Sequence, residues 1–353
     1  MKQQPLDWQV GLVGYGEVGR ILAEDLRAQG VAVSAHDLKL AGHQASALRE
    51  HGGAHGVQLA ASHAELAARS DLIVSAVTAS QTVAVAEACA ASMRPGTWFL
   101  DLNSASPGAK QRAAAVVDGA GGRYVEAAVM TSIPPYRIEV PLLLGGTHAA
   151  GLLPHLTALG FVGKVASEKL GVASATKMCR SVMIKGLEAM VIESFTTARA
   201  YGVEDDVLAS LAETFPGIDW ERQGAYFFQR VIEHGRRRSE EVREVAETVR
   251  EIGLTPWSAS GTAERQAWVA DLADAGLFGV KGTAEFARST DWRVKADRIL
   301  AHGSVGESAI TPSLSGREGL LTPTSSGRED LLTPSPSGRG SLFTPSPSGR
   351  GLG

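Results

Sequence analysis

Short apolar runs alternate with longer amphipathic stretches through the first half of the chain. Val10–Val13, Val31–His36, Leu72–Val77, Trp98–Leu102 and Tyr124–Ala128 have the length and apolar density of strands buried on both faces. Between them, segments such as Val18–Gln29, Thr82–Ser92 and Pro107–Asp118 carry helical spacing. Strands alternating with helices predict a parallel sheet covered on both sides. Two further runs, Val140–Leu144 and Phe161–Val165, flank a helix around Ala149–Leu159 and extend that sheet. After Lys169 the pattern changes. Gly171–Tyr201 holds no proline and one internal glycine, Gly186, which predicts a single long helix. Asp205–Phe215, Trp220–His234, Arg236–Ile252, Ser258–Ala275 and Thr283–Ala301 follow, all with helical spacing. Strands followed only by helices predict two domains, α/β over residues 1–168 and all-α over 169–302. Arg236–Arg250, dense in Arg and Glu, reads as a solvated helix face.

The last segment is of another kind. From Ile310 an 11-residue unit occurs four times: ITPSLSGREGL, LTPTSSGREDL, LTPSPSGRGSL and FTPSPSGRGLG. Proline and glycine in every unit oppose a helix, and so little apolar content does not offset the entropy of ordering. Residues 303–353 are therefore expected to form a disordered tail.

Composition narrows the class. Apolar residues are 44% of the 353, enough for large cores, and the net charge is −4. No basic surface points to nucleic acid or an anionic membrane as partner. Two cysteines, Cys89 and Cys179, make no disulfide framework. The polar Met1–Val10 segment lacks the apolar stretch of a signal peptide, and no run of about 18 apolar residues occurs, so a cytoplasmic protein is expected.

The first chemical motif is VGLVGYGEVGR, with Gly14, Gly16 and Gly19 in G-x-G-x-x-G spacing. It follows an apolar strand and opens a helix, and Asp37 ends the next strand 18 residues after Gly19. That context marks a Rossmann dinucleotide site. Gly14 permits the tight turn, Gly16 lets a pyrophosphate approach the backbone, and Gly19 lets helix and strand pack closely. Tyr15, Glu17 and Val18 complete the turn, with phosphates expected on free N–H groups at the helix start. Asp37 is placed to accept hydrogen bonds from the adenosine ribose and repel a 2′-phosphate, which favours NAD. Lys39 softens that repulsion and leaves NADP open. Val77 and Thr78, at the end of their strand, are expected beneath the cofactor.

Two more motifs follow. DLNSASP, Asp101–Pro107, leaves a strand and enters a helix, offering Asn103 and Ser104 at the sheet's carboxyl edge; Ser104 or Ser106 as a helix cap is the plainer alternative. On the long helix, Ser174, Lys177, Ser181 and Glu188 form a polar stripe beside Arg180 on an otherwise apolar cylinder. Such a stripe at a domain junction is expected to line a cleft.

These motifs, in this order, resemble the β-hydroxyacid dehydrogenase family, which includes 6-phosphogluconate dehydrogenase and 3-hydroxyisobutyrate dehydrogenase. The resemblance spans residues 9–300, and TKMCRSVMIKGLEAM is similar to the branch with a C-terminal domain called DUF1932. It implies an α/β Rossmann domain with a parallel-rich sheet, followed by an all-α domain of the 6-phosphogluconate dehydrogenase C-terminal type. It further implies substrate on Asp101–Pro107, a general acid/base at Lys177, and a homodimer formed through the helical half. Trp268, Val269 and Leu272 supply apolar surface there, although an ordinary core accounts for them equally. The family's usual serine is replaced by Asn103, its glycine pair by Thr131–Ser132, and the asparagine near its lysine by Arg180 and Ser181. Ile184 stands where 6-phosphogluconate dehydrogenase carries its proton-donating glutamate, which argues against decarboxylation of 6-phosphogluconate.

The function implied is an NAD(P)-dependent oxidoreductase moving hydride between nicotinamide and a small hydroxy acid or related carbonyl. Asn103, Ser104, Thr131, Ser132, Arg180 and Ser181 are expected to hold the substrate, and no metal is expected. An imine reductase and a non-catalytic dinucleotide sensor are the alternatives; Lys177 argues against the first.

Overall fold

The computed structural model describes residues 5–42, 44–283, 286–287 and 289–307. The chain begins β1 (Gln9–Val13), α1 (Glu17–Ala28), β2 (Ala32–His36), α2 (Ala45–His55), β3 (Gln58–Leu59), α3 (His63–Arg69) and β4 (Leu72–Ser75). It continues α4 (Thr82–Ala90), β5 (Trp98–Asp101), α5 (Pro107–Gly119), β6 (Arg123–Val129), β7 (Leu142–Gly145), α6 (Ala149–Ala158) and β8 (Gly163–Ser167). Helices alone follow: α7 (Val172–Tyr201), α8 (Glu204–Thr214), α9 (Trp220–Glu251), α10 (Trp257–Asp274) and α11 (Trp292–Glu307).

The eight strands form one sheet in the order β3-β2-β1-β4-β5-β6-β7-β8. Every pairing is parallel except β6 with β7. Side chains alternate between two buried layers, as a doubly covered sheet requires. Val10 and Leu12 of β1, Leu72 and Val74 of β4, and Trp98 and Leu100 of β5 pack in one layer with Leu22 and Leu26 of α1. Val13, Ile73, Phe99 and Tyr124 pack in the other with Ala86, Cys89, Ala113 and Val117. Full burial of each such aliphatic side chain contributes about 1.5–3 kcal/mol. The strand order reverses between β1 and β4, which opens a crevice at the carboxyl edge. The helical half has its own core, built on Phe195, Trp220, Phe228, Val231, Val269 and Trp292. No helix among the described residues is long and apolar enough to cross a membrane.

The parallel-rich Rossmann sheet and the helical half are as expected, and several elements differ in detail. β3 is only two residues long, too short for any alternation to announce it. β7 runs antiparallel to β6, because residues 130–141 reach it without the helical crossover that a parallel return needs. The segments expected as Trp220–His234 and Arg236–Ile252 are one helix, α9. Gly235 does not break it: a Cβ there would lie 2.7 Å from the Gln266 carbonyl oxygen, so glycine lets α10 pack against α9. Thr283–Ala301 was expected to be helical, whereas α11 begins only at Trp292, after Asp291 accepts a bond from the Arg293 N–H. It continues to Glu307, past Gly303 where the tail was expected to start. The repeats from Ile310 lie outside the described residues.

One contact determines how α7 leaves the sheet. Glu126 of β6 is fully buried, and its carboxylate accepts from the N–H groups of Gly171 (2.7 Å), Ala173 (3.2 Å) and Ser174 (3.3 Å) and from the Ser174 hydroxyl (2.7 Å). A strand side chain thus satisfies the orphan donors at the start of a 30-residue helix and complements its positive end. Glu126→Ala is expected to cost about 3 kcal/mol by leaving those donors buried and unpaired. An unchanged urea midpoint in that variant would refute this account of the helix start.

Candidate functional site

At the β1–α1 turn, Gly14 has φ +91°, and its N–H donates to the His36 carbonyl at 2.9 Å. A Cβ on Gly19 would lie 2.0 Å from the Gly14 carbonyl oxygen, so only glycine lets α1 start this close to the turn. At Gly16 a Cβ would meet nothing within 4 Å, so that glycine is not required by packing within the chain. Gly16 is also the N-cap of α1, and no side chain caps it. Open space over helix-start N–H groups, including those of Glu17 and Val18, suits a dinucleotide's phosphates. Asp37 directly follows β2, and its carboxylate accepts from the Tyr15 N–H at 2.8 Å and the Lys39 N–H at 2.9 Å. Lys39 itself is exposed. The glycine turn and the second strand are therefore tied together through the acidic residue, and the donor set fits a dinucleotide.

Tyr15 contributes to this turn only through its backbone. Its side chain is buried beneath, with the hydroxyl 2.8 Å from His51 Nδ1, and burial pushes the phenol up to about 12. His51 Nε2 lies 2.9 Å from Glu24, which also receives Arg137 at 2.6 Å; Arg137 bonds Asp25 at 2.8 Å as well. Arg137 belongs to the loop after β6, so this network joins that loop to α1 and the glycine turn. Ligand atoms of Glu24, His51 and His55 lie within 4.8 Å of one another, but Tyr15 and Arg137 already engage the first two.

The β5–α5 loop divides its roles in a way the sequence left open. Ser106 caps α5, accepting from the Ala109 N–H at 3.3 Å, while Ser104 is left to face α7. Asn103, expected on substrate, is largely used within the sheet: its Oδ1 accepts from the Val77 N–H (2.8 Å) and its Nδ2 donates to Ser75 (3.0 Å). It joins the ends of β4 and β5, which leaves its second amide hydrogen as its remaining donor. Asp101 anchors the loop from below. Its carboxylate pairs with Lys110 at 2.8 Å, both groups being 1% exposed, and accepts from Tyr124 Oη at 2.6 Å.

Lys177 of α7 reaches this loop and donates to Ser104 Oγ at 2.6 Å. Burial brings its pKa down from 10.5 to about 8; Glu241 opposes the shift, and Lys185, Lys110 and Arg237 add to it. Ser181 lies a turn further along the same face and is buried, whereas Arg180 is exposed and makes no ion pair among the described residues. Thr131 and Ser132 are exposed on the loop that leaves the carboxyl end of β6. They touch neither Lys177 nor Ser104 through any hydrogen bond. Thr78 is within 3.5 Å of Ser80 in the loop after β4.

The polar stripe on α7 has a member the sequence reasoning passed over. Lys185 continues the spacing of Ser174, Lys177 and Ser181, is 8% exposed, and pairs with Glu241 of α9 at 2.5 Å. Continuing the three-and-four rhythm one more turn would have found it. Arg236–Arg250 is only partly the solvated face expected. Arg236, Arg243 and Glu247 are exposed, but Arg238 is buried on Glu188, Glu241 holds Lys185, and Glu244 accepts from the Ser106 N–H at 3.0 Å. Directly after this stretch, Glu251 accepts from the Gly108 N–H at 2.9 Å. The inner side of α9 thus clamps the start of α5.

Comparison with known proteins identifies the two domains. Residues 9–149 match the NAD binding domain of 6-phosphogluconate dehydrogenase, and residues 198–269 match a domain of unknown function, DUF1932. A conserved hypothetical protein from Sinorhizobium meliloti 1021, of solved structure, is 34% identical; the match covers 84% of this chain and 96% of that one, with a TM-score of 0.67. An uncharacterized 28.5 kDa protein of Methanothermus fervidus is 28% identical over 205 residues, which are 57% of this chain and 76% of that one. The 3-hydroxyisobutyrate dehydrogenase of Mycobacterium tuberculosis, solved with L-serine, shares the fold at a TM-score of 0.62 and 16% identity, over 83% of this chain and 99% of that one. The chain belongs to the β-hydroxyacid dehydrogenase family, in the branch that joins an NAD-binding domain of the 6-phosphogluconate dehydrogenase type to a DUF1932 domain.

Proposed function

We propose that the chain is an NAD(P)-dependent oxidoreductase acting on a small hydroxy acid or related carbonyl, with Lys177 as the general acid/base. The observation that carries this is the Lys177–Ser104 contact of 2.6 Å, made by an amine whose pKa is brought down to about 8. A lysine so placed takes a proton from a substrate hydroxyl or returns one to a forming alkoxide. Nicotinamide, when bound, supplies the hydride chemistry. Ser104 orients the amine toward the β5–α5 loop, and Asn103 keeps that loop beside Val77. The second amide hydrogen of Asn103, Thr131, Ser132 and Ser181 are the groups for the substrate's polar end, with Arg180 for its carboxylate. Gly14, Gly16 and Gly19, with the backbone of Tyr15, Glu17 and Val18, would hold the pyrophosphate, Asp37 the ribose, and Val77–Thr78 the adjoining part of the dinucleotide. The carboxylate of Asp37 favours NAD over NADP.

The outer face of α7 supports a homodimer. Met183, Met190 and Tyr201 are 71%, 60% and 80% exposed along it, and with Val203 and part of α10 they border a groove of about 830 Å³. An apolar patch of this kind on a helical half is typical of a subunit contact.

Turnover should appear in a screen of hydroxy acids, polyols and amines by following cofactor reduction. Lys177→Ala should lower it by roughly 100-fold or more while NADH affinity holds. The sign of the pH dependence follows from the pKa of about 8: alcohol oxidation needs the neutral amine and rises with pH through that value, and carbonyl reduction needs the ammonium and falls. Full activity in Lys177→Ala, or a flat profile, would sink the assignment.

Gly16→Ala should fold normally and bind NADH at least about tenfold more weakly, since its methyl group enters the space reserved for phosphate. Gly19→Ala should instead unfold at lower urea, because its Cβ strikes backbone. In the parent chain NADH should bind about tenfold or more tightly than NADPH, by fluorescence titration. Equal affinities would remove the role given to Asp37. Sedimentation velocity should find a dimer, with Met190→Asp monomeric; a monomeric parent would count against the α7 face.

A further inference from the structure

Three buried cations along the seam of α5, α7 and α9 each meet a carboxylate: Lys110 meets Asp101, Lys185 meets Glu241, and Arg238 meets Glu188. Lys177 meets a hydroxyl. The carboxylate nearest to playing the missing part is Glu241. Contacts along α9 bracket its position. Glu241 touches Lys185, and Glu244, one turn on, touches the Ser106 N–H, while Lys177 reaches Ser104 in the same loop. Lys177 and Lys185 are two turns apart on one face of α7, so the Lys177 ammonium lies in the interval between those two contacts of α9.

We propose that Glu241, paired with Lys185 on the same seam, is the counter-charge that supports the ammonium form of Lys177 against its burial, so that both are positioning residues for the acid/base. The inference rests on the role given to Lys177 above. The coupling is reciprocal: Glu241 opposes the fall in the Lys177 pKa, and although burial works against it, Lys185 and Lys177 hold the Glu241 carboxyl below its ordinary range. The other charges around Lys177 are Lys110 on α5, Lys185 on α7 and Arg237 on α9, all of which disfavour its ammonium form. Glu244 is engaged by the Ser106 N–H and Asp101 by Lys110. Glu241 is therefore the counter-charge that favours the ammonium form of Lys177. Glu241 is gripped by Lys185 at 2.5 Å and lies 4.0 Å from Arg237, and Glu241 and Lys185 act on Lys177 with opposite sign.

The experiment is a titration of Lys177 in the full chain that needs no substrate. Brief acetylation over a pH series, with the Lys177 peptide quantified by mass spectrometry, reports the fraction of neutral amine. The parent chain should give a midpoint near about 8. Glu241→Gln should lower that midpoint by about one unit, a tenfold faster labelling at pH values below it. Lys185→Gln should raise it, because the ammonium's repulsion is removed while Arg237, 4.0 Å away, keeps Glu241 in place. A merely structural role would loosen the seam in both variants and move both midpoints up, toward 10.5. A midpoint unmoved or raised in Glu241→Gln, or unmoved or lowered in Lys185→Gln, overturns the proposal. Should Glu241→Gln not fold, the exposed Arg237→Ala carries the same arithmetic, with an upward shift expected and no shift overturning it. Labelling does not depend on hydride transfer. A protein that turns over nothing in the substrate screen yet shows the paired shifts would lose its proposed activity and keep this electrostatic device, and unshifted midpoints with normal turnover would do the reverse.

Discussion

Where β6 meets α7, the buried Glu126 carboxylate accepts four hydrogen bonds from the first turn of the long helix. The direction and the start of α7 are set by that contact, and with them the height of every residue on its inner face. Lys177 comes one turn after Ser174, which is itself one of the four donors' residues. A carboxylate fixed in the sheet thus places an amine on a helix against the loop that leaves the neighbouring strand, β5. The sheet's own register decides where that loop begins, through the pairing of Asp101 with Glu126.

The seam between sheet and helices is an electrostatic structure as much as a packed one. Buried cations there are held by carboxylates, and pairs of this kind are demanding: loss of one partner leaves an uncompensated charge in a medium that solvates it poorly. Lys177 departs from the pattern because its hydrogen-bond acceptor is a neutral hydroxyl. Desolvation then acts on it without a direct ionic partner, and its pKa falls to about 8. The α9 carboxylates do two kinds of work along this line. Glu244 and Glu251 take N–H groups at the start of α5, and Glu241 supplies negative charge to Lys185 and, at longer range, to Lys177.

Local patterns carried much of this. The glycine turn, the strand before it and Asp37 after it were legible because backbone sterics at Gly14 and Gly19 leave few alternatives, and the spacing records that constraint directly. The stripe of Ser174, Lys177 and Ser181 was legible because helical period puts those positions on one face. β3 was not, since two residues hold no periodicity. The antiparallel β7 was not, since an apolar run is silent about its direction. The helix break drawn at Gly235 was mistaken because glycine there serves the approach of a second helix, a relation between segments that spacing within one segment does not express.

By itself the sequence determined that a doubly covered, parallel-rich sheet precedes a set of helices, that a dinucleotide turn opens the first helix, and that one lysine stands on a polar stripe. These follow from short-range sterics and from burial of apolar surface, both of which act on neighbouring positions. The tertiary structure alone decided that Asn103 braces two strands, that Ser104 and not Ser106 receives Lys177, and that part of a stretch read as solvated is a buried clamp. Those outcomes depend on which charges and donors meet across the seam. Such meetings are set by electrostatics between segments far apart in the chain, where the cost of an unpaired buried group selects a partner that no local pattern names.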